Sequence, residues 1–130
     1  MAERAPVQLR RLEWIGSAKK DLQALSDEVV HVFGYALYLA QTGRKHDQAK
    51  ALRGFGSGGV LEVVEDRRGD TYRAVHTVQY AARVFVLHVF QKKSKSGIAT
   101  PKPDLDLIRN RLKVATKRAK ELDDEQTQNH

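Results

Sequence analysis

The chain of 130 residues has no cysteine, so neither a disulfide framework nor a thiolate metal site can be built from it, which suits a reducing compartment. Its five histidines are scattered and no pair has metal-ligand spacing, so no metal and no cofactor is expected. No apolar run approaches the length of a membrane span. Residues 1–15 interleave Glu3, Arg4, Arg10, Arg11 and Glu13 with their apolar positions and so make no secretory signal. A soluble, cytoplasmic protein is the expectation. Proline is scarce, and two of the three stand at Pro101 and Pro103. Regular structure must stop there, and a helix can open at about Pro103 or Asp104.

A chain of this length fits one domain, which buries roughly two-thirds of the surface its unfolded form exposes. We expect a single domain over 1–130, with 1–6 and 123–130 flexible. The net charge of +7 is regional. Residues 91–120 carry ten Lys or Arg against two Asp, residues 1–90 carry thirteen against ten acids, and the last ten residues carry four acids and no base. A basic cluster of this kind suits phosphates, an acidic protein partner, or simply water around a lysine-rich helix.

The apolar pattern gives an order of elements. Val7, Leu9, Leu12, Trp14 and Ile15 support a first strand, interrupted at Gly16. Ser17 can cap a short helix to Leu25, and Ser26, followed by Asp27 and Glu28, a second. In that second helix Val29, Phe33, Ala36, Leu37 and Ala40 form one stripe, flanked by further apolar residues, and Gly43 is a natural stop. Residues 45–59 read as a polar, glycine-rich loop. Their Gly-Phe-Gly-Ser-Gly-Gly lacks the Lys-Ser/Thr of a phosphate-cradling loop. Three strands follow, over 60–65, 71–79 and 83–91, with the spacing of an antiparallel meander. Period two places Tyr72, Ala74 and His76 on one face of the middle strand and Arg73, Val75 and Thr77 on the other. In the last strand both alternating sets, Val84, Val86, His88, Phe90 and Phe85, Leu87, Val89, are apolar enough to be covered. Beyond it come Lys92, Lys93 and Lys95, then an amphipathic basic helix with Leu105, Ile108, Leu112 and Ala115 on its apolar side.

Chemistry centres on the end of that last strand. Arg73, mid-strand, must send its guanidinium to water, to an acid or to a ligand phosphate, and the plainer outcome is a cross-strand salt bridge with Glu62 or Glu65. Cleavage of RNA requires that a 2′-hydroxyl lose a proton, that the charge growing on the phosphate be stabilised, and that the leaving 5′-oxygen be protonated. Lysine and arginine supply the second need directly. His76 and His88 are candidate general acids or bases, although core or edge histidines of this kind more often serve as hydrogen-bonded structure.

Three segments in order carry a resemblance: Leu-Arg-Gly-Phe-Gly-Ser-Gly-Gly-Val-Leu-Glu at 52–62, Tyr-Arg-Ala-Val at 72–75, and Leu-His-Val-Phe-Gln-Lys-Lys-Ser at 87–94, followed by Thr100 and Pro101. The chain resembles the RelE/ParE superfamily of type II toxins, most closely its phage-derived HigB-like branch, from Trp14 to about Leu112. The resemblance implies an α+β, RelE-like fold: an N-terminal strand and two helices packed on a small antiparallel sheet, with a C-terminal helix. It implies a ribosome-dependent mRNA endoribonuclease that arrests translation, with Arg73, Lys92 and Lys93 as catalytic residues. Lys50, Arg53, Arg67 and Lys95 are expected on the RNA backbone. The implied partners are the ribosome, mRNA and a helix-turn-helix, HigA-like antitoxin. Three features depart from the pattern: Val64 stands where many relatives carry arginine, the strand over 60–65 has none of the lysines found in RelE, and the tyrosine that RelE has beyond its basic cluster has no counterpart in 94–103. They leave a second possibility, a ParE-like toxin that inhibits gyrase without cutting RNA.

Overall fold

A computed structural model describes residues 8–56, 58–92 and 99–128, the side chains of 123–128 excepted. The elements in chain order are β1 (Arg11–Trp14), α1 (Ala18–Gln23), α2 (Asp27–Gln41), β2 (Ala49–Ala51), β3 (Val60–Arg67), β4 (Asp70–Thr77), β5 (Arg83–Lys92) and α3 (Lys102–Gln128). One five-stranded sheet, ordered β1-β5-β4-β3-β2, carries helices on both faces. The expected α+β architecture is present, with one change: β1 joins β5 in parallel, so the sheet is mixed. β2, inside the stretch read as loop, pairs antiparallel with β3.

Local chemistry sets these elements. The Ser26 hydroxyl accepts from the Val29 amide at the start of α2, where Asp27 and Glu28 face the positive helix end. The stripe from Val29 to Ala40 is buried. Of its flanks, Val30 and Val32 are half-covered and Tyr35 is exposed, so α2 covers the sheet with one side only. β3 and β4 are joined by Arg68 and Gly69, both at positive φ (54° and 83°), as a two-residue type I′ turn requires. α3 begins at Lys102, with Pro103 in its first turn. Its backbone continues to Gln128, through an acidic tail rich in the good helix formers Glu and Gln.

Two cores result. On one face α1 and α2 press Ala18, Leu22, Phe33 and Leu37 against Leu61, Val63, Ala74 and Val86. On the other, Ile108, Ala115 and Ala119 of α3 meet Val60, Val75, Phe85 and Leu87. Full burial of a side chain such as Phe33 or Phe85 contributes about 1.5–3 kcal/mol each.

The alternation expected in β5 breaks at one residue. Val75 pairs with His88, but the next residue of β4, His76, pairs with Val86. Leu87 is therefore an extra residue, a β-bulge. It moves His88, Phe90 and Lys92 to the face of Phe85 and Leu87, away from Val84 and Val86. Arg111 of α3 donates to the Leu87 carbonyl at 3.0 Å, so the helix hydrogen-bonds to the bulge.

Candidate functional site

Because of the bulge, Phe90 sits opposite Arg73 and Lys92 opposite Thr71, and Lys92 and Arg73 are diagonal neighbours on the α3 face of the sheet. Both are buried, Arg73 to 3% exposure and Lys92 to 8%. The same face carries Glu62, opposite Val75, and Lys50, opposite Glu62 across the β2–β3 ladder. Glu62 is 1% exposed. Its Oε1 accepts from Arg73 Nη1 at 2.5 Å, and its Oε2 accepts from the Thr100 hydroxyl at 2.5 Å. Arg73 Nη1 also lies 3.3 Å from Thr100 Oγ1. The cross-strand ion pair expected as the plainer fate of Arg73 is thus present, with Glu62 as the partner.

This arrangement fixes the guanidinium, since a buried cation and a buried carboxylate are tolerable only as a hydrogen-bonded pair. It also ties Thr100, one residue before Pro101 and the start of α3, to the middle of the sheet. In the sequence Thr100 counts only toward the resemblance, beside Pro101, and a threonine before proline carries no signal for such a role.

The other candidates are divided. Lys50 and Arg53 are exposed. Lys50 lies on the Arg73 face and Arg53 follows just beyond β2. Arg67 is on the opposite face, engaged by Glu28 of α2 at 3.0 Å and Glu65 at 3.3 Å, so it does not join the cluster. Lys93 and Lys95 lie outside the described residues. His76 is buried on the α1 and α2 side, 2% exposed, with Nδ1 3.1 Å from the Thr77 carbonyl. Burial lowers its pKa, the bond to Thr77 opposing this in part, and it reaches no solvent from which to exchange a proton.

His88 is placed differently. Its Nε2 is 2.8 Å from Asp104 Oδ1, in the first turn of α3, and its ring stacks on Phe90 at 4.5 Å and 14°. A proton on Nε2 directed to the carboxylate leaves Nδ1 as the basic nitrogen. Nδ1 is buried and has no hydrogen-bond partner among the described residues. A cavity of about 590 Å³ opens beside this pair, along the part of β5 beyond its pairing with β1, lined by Asp21, Leu25, Phe90, Gln91, Pro101 and Asp104. Asp104 is a further residue that sequence reasoning passed over, since only the fold brings it to His88. Among the described residues no group of three His, Asp or Glu side chains could hold a metal ion. The arrangement sets Lys92 beside Arg73 at one end of the face, where charge suits an anion, with Lys50 farther across the sheet and His88 on the same face.

Residues 20–113 match the family profile described as "Phage derived protein Gp49-like (DUF891)". The chain belongs to this Gp49-like family. It is a toxin-like family of the RelE kind, which accords with the helix-covered sheet. No curated protein matches the chain. Within the Gp49-like match fall Glu62, Arg73, His88, Lys92, Thr100 and Asp104, whereas α3 beyond Lys113 lies past it. No described helix is long and apolar enough to cross a membrane.

Proposed function

We propose that this Gp49-like chain is the toxin of a type II toxin–antitoxin pair and cuts mRNA on the ribosome. The observation that carries the reading is the bulge at Leu87, which turns Lys92 onto the face of Arg73 in a member of a toxin-like family. Bulges beside functional sites commonly re-aim a side chain in this way. In the reaction the 2′-oxygen attacks phosphorus as its proton leaves. The bond from phosphorus to the 5′-oxygen breaks, and that oxygen departs with a proton, leaving a cyclic phosphate and a 5′-hydroxyl. Lys92, with Lys93 and Arg73, stabilises the charge growing on the phosphate. His88, held by Asp104 on the Arg73 face of the sheet, is the candidate for proton transfer in this reading. Lys50, Arg53 and Lys95 follow the RNA backbone. Antitoxin of the helix-turn-helix, HigA-like kind covers the Lys92 end with an acidic segment.

A ParE-like toxin that binds gyrase without cutting RNA is the second reading. It is favoured by one observation: the charge of Arg73 is balanced by Glu62, and Val64, not a cation, lies opposite Arg73. Primer extension on mRNA from programmed ribosomes, run beside a gyrase supercoiling assay, separates the two. Cuts at the ribosome with normal supercoiling support the nuclease. Intact mRNA with blocked supercoiling supports the second reading.

A further inference from the structure

We propose that α3 and the loop after β2 form a second RNA-binding surface, which carries the single strand flanking the cut site. The inference rests on the nuclease reading for the identity of its ligand. Its evidence is separate from the cluster at Arg73, and Lys117 and Lys120 lie beyond the Gp49-like match, which ends at residue 113.

Phe55 projects from the loop toward α3, and the Arg109 guanidinium lies over its ring, 5.0 Å from the centroid. The loop approaches closely: a Cβ on Gly54, itself at φ +91°, would stand 3.3 Å from Arg109 Nη2. Beside this contact is an open cavity of about 620 Å³ with Phe55 and Leu112 as its apolar floor and Arg109, Lys113, Lys117 and Lys120 around it. All four cations are exposed. Among the described residues the acid paired with any of them is Asp106, 3.7 Å from Arg109 and itself half-exposed.

An aromatic floor ringed by lysines suits a nucleobase with its phosphates. Stacking on the Arg109 guanidinium that lies over the Phe55 ring is indifferent to base identity, and the ammonium groups take the backbone charge. The helix rise of 1.5 Å per residue sets Lys113 and Lys117 about 6 Å apart along the axis, close to one backbone step of a stretched single strand. The surface is also continuous with the cluster at Arg73. Lys50 stands beside Glu62, Arg53 and Gly54 follow beyond β2, and Phe55 meets Arg109. An acidic peptide would satisfy the lysines but gives Phe55 no stacking role.

The test measures binding of a fluorescein-labelled, 2′-O-methyl single-stranded RNA of about twelve nucleotides, a length within the range one groove accepts. Such RNA cannot be cut, so binding is read apart from catalysis. Lys113→Gln combined with Lys117→Gln is expected to weaken binding about tenfold at low salt. It should also reduce the slope of log affinity against log salt by about 1.4, two phosphate contacts on a single strand. Phe55→Ala is expected to cost about fivefold or more through lost stacking. Affinity and slope unchanged in the lysine variant overturn the proposal. So does unchanged affinity in Phe55→Ala with polyglutamate displacing the RNA at equal charge, which assigns the face to an acidic protein segment. If wild-type protein binds in the expected way but cuts no mRNA, the nuclease reading fails and this surface stands. If it cuts mRNA while the variants bind normally, this surface alone fails.

Discussion

Glu62 and Arg73 are buried to 1% and 3% exposure on neighbouring strands, and neither charge is tolerable there alone. Glu62→Ala removes the carboxylate that balances the buried guanidinium and is expected to destabilise the fold by about 3–5 kcal/mol. Replacing both, as Glu62→Met with Arg73→Met, should recover most of that loss, a non-additivity that urea denaturation of the four proteins of the cycle would measure. For the same reason Arg73→Ala is a poor probe of catalysis, since it removes structure together with charge. His76 offers a prediction in pH. Its folded pKa lies below the ordinary value because burial disfavours the cation. The unfolded chain therefore binds the extra proton first, and stability is lost as pH falls from about 6.5 toward the folded pKa. Thermal denaturation between about pH 7 and 5 should show wild-type losing up to about 1.4 kcal/mol per pH unit more than His76→Phe. Arg73 was legible as a mid-strand cation seeking an acid. His76 and His88 were not separable, because a period-two pattern says which face a residue takes but not what covers that face.

At the scale of elements, the bulge in β5 decides which residues share the site. Both alternating sets of that strand are apolar, so no polar position marks where the alternation breaks, and the sequence pattern places His88 and Phe90 with Val84 and Val86 when the fold places them with Phe85. The carbonyl of Leu87 is held by Arg111, whose Nη2 also reaches the Ser17 hydroxyl at 3.0 Å. Gly16 leaves room for this arginine. A Cβ there would lie 2.9 Å from Arg111 Cζ, and the backbone is at φ +58°. Gly16→Ala is expected to cost about 1–2 kcal/mol from backbone strain alone and to push Arg111 off the bulge. Arg111→Met should cost about 1.5–3 kcal/mol, the worth of a charged hydrogen bond. Amide exchange at residues 87–90 should rise in both variants relative to that in β3. Unchanged exchange would show that the bulge holds itself. β2 escaped the sequence for a related reason, since Ala-Lys-Ala has no strand signature and depends on β3 for its pairing. Nor does periodicity report strand direction, and the parallel pairing of β1 with β5 emerged only from the fold.

Across the whole molecule, charge and topology converge on one side of the sheet. The order of helices and strands and the stripe of α2 were readable because apolar periodicity survives without neighbours. The site was readable only as residue types near the end of β5, because Glu62 reaches it from β3 and Thr100 and Asp104 from around the start of α3, two separate parts of the chain. The regional basicity implies that RNA affinity falls steeply with salt. An antitoxin bound over the Lys92 end should carry acidic residues and abolish that affinity, as fluorescence titration of the complex would show. Lys92 is central to the nuclease reading, and Lys92→Met replaces it with an apolar chain of similar length. The deciding measurement is the rate of mRNA cleavage on programmed ribosomes, compared between wild-type and Lys92→Met proteins shown to have matching melting temperatures. A loss of about a hundredfold or more is expected, the scale of removing one transition-state contact. Cleavage at the wild-type rate by a folded Lys92→Met protein would contradict it.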